Sequence, residues 1–301
     1  MKHLLFLLFL LVGSVRLQAQ AIDSMLIISP GLSPSVVAKG RLELALFNQL
    51  SSLNYEQVID QNTFRGRNSS LYHVLQVGYG LDRYNRLNIG ATAVFAHSRQ
   101  DAREDRSAFA VFQGADNESV VNRTMAAVGL YARAIPFRKL PELTVQAGVF
   151  FPTVQDFLVR QTTGYDRTFA QLQFAFYQQF TPIFYVFATA GGNVFFPYEY
   201  NKRTSLHIPA SLYPVVRLAG TNAYLFGSFT YTGVFNKVKP GFLRANGYQM
   251  YYGLGAQYYF KPDFSLYLQT QWPAVVDLNS PATTVLRDKT FILGLGARYV
   301  L

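Results

Sequence analysis

The sequence contains no cysteine and is poor in charged residues. Without cysteine the chain has no disulfide framework, no thiolate metal site and no cysteine nucleophile. Charged residues make up 15% of the chain, against about 25% in typical soluble domains. Aromatic residues reach 16%. Much of the folded surface is therefore expected to face something other than water.

Long apolar runs are also missing beyond the first residues. No run of about 20 apolar residues, the length that a membrane-spanning helix needs, follows the N-terminus. Residues 1–21 combine Lys2, an apolar run over 4–12 and the small residues Ala19 and Ala21, a pattern typical of a secretory signal peptide. Cleavage after Ala19 and cleavage after Ala21 both fit. We predict a signal peptide over 1–21, a periplasmic N-terminal segment over 22–39 and one domain over 40–301.

Motifs for catalysis and for cofactor binding are absent from the sequence. There is no G-x-S-x-G, no H-E-x-x-H and no phosphate-binding loop. Outside the signal peptide the histidines are His73, His97 and His207, and their separations match no local metal-ligand spacing. We therefore expect no cofactor and no metal. The formal net charge is +10, but the basic residues form no runs, which argues against nucleic acid as a partner.

An alternation of apolar and polar residues fills the chain from residue 40 to residue 301. Segments of about ten alternating residues, joined by short and long connections in turn, are typical of an outer-membrane barrel. The predicted strands are 40–49, 70–81, 86–97, 123–135, 142–152, 168–180, 183–195, 205–217, 222–234, 247–260, 264–275 and 290–301. Tight turns over 82–85, 136–141, 181–182, 218–221 and 261–263 would face the periplasm. Longer connections over 50–69, 98–122, 153–167, 196–204, 235–246 and 276–289 would face the cell exterior.

Charge is partitioned between the predicted strands and the predicted loops. Residues 168–198 contain no charged side chain, whereas residues 97–123 contain nine. A Lys or Arg on the lipid face of a barrel costs about 2–4 kcal/mol at the bilayer midplane and almost nothing at the interface. Because only a closed sheet satisfies every backbone group in hydrocarbon, the predicted fold is all-β, a transmembrane antiparallel up-and-down barrel of about twelve strands.

The alternation also predicts which residues face the lumen. In the last strand Leu295, Tyr299 and Leu301 would face lipid, with Gly296 and Arg298 inward. The predicted lumen-lining residues are Gln76, Arg133, Gln146, Gln171, Gln173, Gln179, Arg217, Gln249, Gln257, Gln269, Gln271 and Arg298. Twelve strands give a backbone radius of about 12 Å, so side chains would narrow the lumen considerably. Such amides and arginines either bind passing solutes or bond one another and plug the barrel.

Three further features leave alternatives open. Pro209 and Pro214 interrupt the predicted strand 205–217, where the strand count is least secure. The connection 98–122 either folds inward as a constriction or lies on the surface, where it is solvated or binds lipopolysaccharide or a partner. Aromatic residues near strand ends fit interfacial girdles; they are Tyr84, Tyr131, Phe151, Phe180, Tyr198, Tyr231, Tyr258, Phe260 and Tyr299.

The C-terminal residues Gly296, Tyr299 and Leu301 resemble the terminal assembly signal of bacterial outer-membrane proteins. The position before the glycine, usually polar in that pattern, is Leu295 here. The chain thus looks like a Gram-negative outer-membrane β-barrel of the porin or transporter class. The resemblance implies insertion by the barrel-assembly machinery, and it makes outer-membrane lipid and lipopolysaccharide the expected surroundings.

Three functions are compatible with the sequence. The first is a channel or transporter for small polar solutes, favoured by the glutamine-rich lumen. The second is a non-conducting barrel that serves as a surface anchor or assembly partner through its extracellular loops. The third is a lipid-modifying hydrolase, because His97 lies near Ser98 and Asp101 at a predicted outer strand end. We expect no catalytic residues and predict the channel.

Overall fold

A computed structural model describes residues 36–59, 62–103, 105–156, 159–160, 163, 165–198, 204–239, 242–278, 284–286 and 291–301. The predicted signal peptide 1–21 and most of the predicted segment 22–39 lie outside these residues. Among the described residues, no helix has both the length and the hydropathy to cross a membrane.

The described chain forms one antiparallel sheet that closes on itself. Twelve long strands and one short strand, β12, are present. They are β1 (Leu42–Ile59), β2 (Asn62–Gly80), β3 (Leu87–Asp101), β4 (Ser119–Ala134), β5 (Leu143–Pro152), β6 (Phe169–Gln179), β7 (Phe184–Phe195), β8 (Ser205–Arg217), β9 (Ala223–Lys239), β10 (Phe242–Lys261), β11 (Phe264–Leu278), β12 (Thr284–Leu286) and β13 (Phe291–Val300). Each long strand pairs with its neighbours along the chain, and β1 pairs with both β2 and β13. The predicted barrel is confirmed.

The connections divide the barrel into two ends. The tight turns lie where they were predicted, and we call their side the short-turn end; the other side is the loop end. Asn85 and Gly220 adopt positive φ angles of 54° and 70° in two of these turns. Glycine and asparagine tolerate that conformation better than other residues.

Two predicted long loops are strand instead. Residues 50–69 and 235–246 were predicted as connections, but Ile59 pairs with Asn62 and Lys239 pairs with Phe242. Both hairpins thus extend beyond the apolar segments. A hydrogen-bonded ladder needs no apolar face, so strands continue through residues such as Ser52, whose hydroxyl lies 3.4 Å from that of Ser69. The strand bounds were therefore wrong at the loop end.

The two prolines do not break β8. Pro209 pairs with β9 but has no partner on β7, where Gly191 and Gly192 lie in the gap of the register. Pro214 pairs with β7 but has no partner on β9, where Gly227 lies opposite its ring. Each proline thus leaves the ladder on one side only, which accommodates its missing donor.

The outer wall of the barrel carries an apolar belt. Leu46, Leu75, Leu130, Leu254 and Leu295 all point outward and are exposed, with Leu130 at 65%. On the last strand Tyr299 and Leu301 are likewise exposed, whereas Gly296 and Arg298 are buried, as the alternation predicts. Exposed leucines in this number are compatible with hydrocarbon as the surrounding medium.

One predicted girdle residue faces the wrong way. Tyr131 is buried inside the barrel, and its hydroxyl donates a hydrogen bond to the carbonyl oxygen of Val77 at 3.4 Å. The neighbouring Leu130 takes the outward position instead. Gly78 and Gly90 leave room for the phenol ring, since a methyl group on Gly78 would lie 2.8 Å from the Tyr131 hydroxyl.

The connection between β3 and β4, residues 102–118, lies on the outside of the barrel, and we call it the outer-wall loop. Its 3₁₀ helix, Ala108–Phe112, buries Val111 against Leu50 and Leu71. These two leucines share the outward face of β1 and β2 with Leu46 and Leu75. The predicted inward constriction is therefore wrong, because the apolar helix finds its partners on the outer face.

Charged residues attach the outer-wall loop to the wall. Arg99 is 1% exposed and donates to Asp101, to the carbonyl oxygen of Gly114 and to Asp116. Arg106 also contacts Asp116, at 3.1 Å. One carboxylate, that of Asp116, thus joins the loop to both guanidinium groups.

The attachment is expected to resist mild acid. A hydrogen bond with Ser119, the backbone amide of Glu118 and Arg99 lower the pKa of Asp116 to about 2, below its ordinary value of 3.8. The ionised carboxylate therefore stabilises the docked loop above about pH 4, and this contribution is lost as the pH falls towards 2. Hydrogen exchange of residues 102–118 should be constant from pH 8 to pH 5 and rise only below about pH 3. Asp116→Asn should raise it at every pH, and an equally protected loop in that variant would contradict the assignment.

Candidate functional site

The lumen is the candidate site, and all twelve predicted lumen residues lie on its wall. Seven are almost fully buried: Gln76, Arg133, Gln146, Gln173, Gln257, Gln269 and Arg298. Five are partly exposed: Gln171, Gln179, Arg217, Gln249 and Gln271. The division follows height in the barrel, because Gln171, Gln249 and Gln271 lie in the half nearer the loop end. Gln179 and Arg217 lie at the rim of the short-turn end.

A buried ion-pair cluster closes one side of the lumen near the short-turn end. Glu43 on β1 accepts from Arg298 at 2.6 Å and from Arg133 at 2.9 Å. β2 and β3 separate the strand of Arg133 from that of Glu43, so the arginine side chain reaches across the lumen. Gln146 accepts from the Arg133 Nε atom at 3.0 Å. Glu43 and Arg133 are 2% and 0% exposed, so water does not reach this layer.

Aromatic residues fill the opposite side at the same height. The cluster on β7 to β10 comprises Phe187, Tyr213, Val215, Tyr224, Phe226 and Tyr259, with Ala175 of β6. Ring centroids are 5.7 Å apart for Phe187 and Tyr213, and 5.6 Å apart for Tyr224 and Tyr259. We call this layer, the ion-pair cluster together with the aromatic cluster, the floor. In the described structure the floor occludes the lumen.

Glycines on the inner wall make room for the rings. Phe150 of β5 lies over Gly129 of β4, and a methyl group on Gly129 would lie 2.6 Å from a ring carbon. Similar pairs are formed by Phe226 with Gly255 and by Tyr267 with Gly296. Rings placed against strand glycines bury apolar surface at positions where the strand supplies no side chain. The inner wall is therefore packed rather than porous at these points.

Gly129→Ala is expected to destabilise the barrel by about 1–3 kcal/mol, because the added methyl group overpacks a close contact. Only side-chain atoms of Phe150 lie near that methyl group, so Phe150→Leu should relieve part of the penalty in the double variant. Urea unfolding in lipid vesicles measures both effects. Gly294→Ala is the matched control, since the nearest atom to its methyl group would be 3.8 Å away. Equal losses at both glycines would contradict the packing argument.

Above the floor the lumen opens into a vestibule lined by accessible amides and rings. Phe150, Phe169 and Phe195 form a row across β5, β6 and β7, with centroids 4.7 Å and 5.0 Å apart. His207 of β8 continues the row 4.4 Å from Phe195. Directly below, Gln171 pairs with Asn193, and Asn193 pairs with His207.

The connection between β5 and β6 contributes to the vestibule. Tyr165 contacts both Tyr72 and Phe169, each with centroids 6.2 Å apart. Arg167 lies over the ring of Phe195 at 5.8 Å and pairs with Asp166 at 3.1 Å. The inward-folded connection is therefore this one, whereas sequence reasoning considered only 98–122. Tyr165 gave no signal, because its residue type is common everywhere in the chain.

The residues considered for hydrolysis are not assembled. His97 points to the outer wall, whereas Ser98, the next residue on the same strand, points inward. Asp101 is 2% exposed and is bound by Arg99 at 2.8 Å. His97 instead lies beside His73, with ring centroids 5.4 Å apart. Among the described residues, no group of three His, Asp or Glu could hold a metal ion.

Glu43 is the site residue that sequence reasoning missed. A signal was present, because Glu43 stands between Leu42 and Leu44 on the inward parity of a membrane-spanning strand. A lone carboxylate in that position needs a partner. The predicted periplasmic-rim position of Arg133 and Arg298 did not suggest one, and only the closure of β13 onto β1 brings Arg298 to Glu43.

Comparison with solved structures supports the fold. An outer-membrane channel from Pseudomonas putida F1 has a TM-score of 0.61 and 13% identity, over 91% of this chain and all of that one. The β domain of the Bordetella autotransporter BrkA has a TM-score of 0.48 and 12% identity, over 87% of this chain and all of that one. A FadL homologue of Pseudomonas aeruginosa has a TM-score of 0.42 and 8% identity, over 86% of this chain and 90% of that one.

The sequence comparisons gave no match. No family model matches the chain, and no curated protein matches it significantly. At these identities the similarity concerns architecture, and it agrees with the closed sheet, the apolar belt and the alternation of short and long connections. The chain is therefore an outer-membrane β-barrel.

Proposed function

We propose that this protein is an outer-membrane channel or transporter that takes small polar solutes into its vestibule from the cell exterior. The observation that carries the proposal is the chemistry of the vestibule. Accessible amides such as Gln171, Gln249 and Gln271 face inward from three strands. Amide groups donate and accept hydrogen bonds at once, so they suit neutral hydroxylated or amide-bearing solutes. Arg167 adds one cation, which Asp166 balances at 3.1 Å.

Asn193 is a specific candidate for solute contact. Its side-chain oxygen is shielded from water and has no hydrogen-bond partner among the described residues. It lies opposite Gln171 and His207 and two positions below Phe195. A solute with a donor group and a flat or apolar face would bond the amide and cover the ring row at the same time.

The floor makes the described state a closed one. Passage through the barrel requires the cluster around Glu43 and the aromatic cluster to separate, because both are sealed from water. The same packing favours the second candidate function, a non-conducting barrel that works through its outer surface. In that case insertion by the barrel-assembly machinery and contact with lipopolysaccharide would be its relevant interactions.

Conductance of the refolded mature protein in planar bilayers tests the proposal. Discrete ion-conducting steps in the wild type support the channel, and silence at every voltage favours the non-conducting barrel. A floor variant makes the test sharper. Phe47 and Tyr267 contact each other with centroids 6.0 Å apart on the inner wall, and their joint replacement by alanine should increase the conductance. Leu268→Ala, on the outward face of the same strand, is the matched control.

A further inference from the structure

Three polar side chains interrupt the outer wall just beneath the outer-wall loop. Asn48 of β1 pairs with His73 of β2, and His97 of β3 lies diagonally across from His73. All three share the face of the exposed residues Leu75 and Phe95. They therefore point away from the lumen and have no place in the proposed transport path. Ionisable residues on a wall of this kind are expensive and are commonly functional.

The hydrogen bonds of Asn48 fix the tautomer of His73. The Asn48 Nδ2 atom donates to the carbonyl oxygen of Leu295 at 3.3 Å, so the amide oxygen Oδ1 is the acceptor on the other side. This Oδ1 atom lies 2.6 Å from His73 Nδ1, which must carry the proton. His73 Nε2 then keeps its lone pair. Within the described chain, no hydrogen-bond partner is recorded for that atom.

This arrangement is the one that metal-ligating histidines use. Such a histidine donates its other ring N–H to a side-chain or backbone oxygen, which fixes the ring and raises its basicity as a ligand. A second imidazole, His97, lies with its ring centroid 5.4 Å from that of His73, and the rings are inclined by 79°. Two nitrogens bound at about 2.0–2.1 Å to one metal would hold the centroids about 4.5–5.5 Å apart.

We propose that His73 and His97 form a two-imidazole site for a late first-row divalent metal, with Cu²⁺ bound more tightly than Zn²⁺. Water completes the coordination, and Asn48 is a positioning residue that orients His73. The nearest cation on the neighbouring strand, Arg123, lies opposite His97. Its guanidinium group is turned upward, and it donates to the carbonyl oxygens of Phe112 and Gln113 at 2.9 Å and 2.8 Å.

Cu²⁺ titration of the detergent-purified mature barrel tests the site. One equivalent of Cu²⁺ should give an electron paramagnetic resonance spectrum with hyperfine coupling to two imidazole nitrogens. Dialysis equilibrium should show that His73→Gln and His97→Gln each lower the affinity at least tenfold. Asn48→Ala should lower it by roughly tenfold, the usual size of an effect transmitted through a ligating histidine.

His207→Gln is the matched control, because His207 faces the vestibule and stacks on Phe195. It should leave Cu²⁺ binding unchanged. A Cu²⁺ ion held by the N-terminal amine would be common to all variants and would persist when both histidines are replaced. Equal affinity in the wild type and the double variant would overturn the proposal. A wild-type spectrum without two imidazole nitrogens would do the same, and it does not depend on any variant folding. None of these readouts requires ion conduction.

Discussion

Replacing Glu43 by alanine is expected to destabilise the barrel by about 3–5 kcal/mol, the usual cost of breaking a buried ion pair by removing one partner. The reason is that Glu43 serves Arg133 and Arg298 at once, and both guanidinium groups would remain buried beside each other without a carboxylate. Urea unfolding in lipid vesicles, followed by the fluorescence of the single tryptophan, Trp272, measures the loss.

Two further variants separate burial from charge alone. Asp263→Asn removes the carboxylate of an exposed pair with Arg41, whose side chains are 47% and 40% exposed, and should cost at most about 1 kcal/mol. The triple variant Glu43→Ala, Arg133→Met, Arg298→Met should recover most of the stability, since apolar groups often replace buried ions without loss. A triple variant no more stable than Glu43→Ala would refute the electrostatic explanation.

Placing an arginine on the apolar belt should have the second largest effect. Leu130 is 65% exposed on the outer face of β4. It lies about 10 Å above the short-turn end, near the middle of a belt about 25 Å tall. Leu130→Arg should therefore destabilise the barrel in lipid by about 2–4 kcal/mol, the midplane cost of a guanidinium group. Unfolding in vesicles of defined thickness measures this cost.

The same substitution further along β4 gives the control. Val120 is 57% exposed near the loop end of the strand, beyond the height of the belt. Val120→Arg should change the stability by no more than about 1 kcal/mol, because the charge reaches the interface. Equal effects at the two positions would show that the outer wall does not meet hydrocarbon at Leu130.

The strand pattern was predictable in its middle and not at its ends. The inward and outward assignment of the last strand follows from strict alternation, because lipid selects the residues of one face at every second position. At the loop end this selection stops. The hairpins that meet at Ile59 and Asn62, and at Lys239 and Phe242, continue without an apolar face to reveal them.

The site was predictable as a set of inward residues but not as an arrangement. Alternation indicated Arg133, Gln146 and Arg298 individually. Their common partner, Glu43, lies 90 and 255 positions from the two arginines, and no local pattern connects residues so far apart. The placement of Tyr131 failed for the related reason that the space over Gly90 comes from a different strand.

By itself, the sequence determined the class of the fold, the approximate strand count and the side of the sheet that meets lipid. These properties follow from a period of two residues and from the cost of charge in hydrocarbon, and both are written locally in the chain. Tertiary structure alone decided that the floor is closed, that residues 102–118 lie on the outer wall and that His73 meets His97. Each of these depends on which strands become neighbours when the sheet closes, and that closure is a property of the whole barrel.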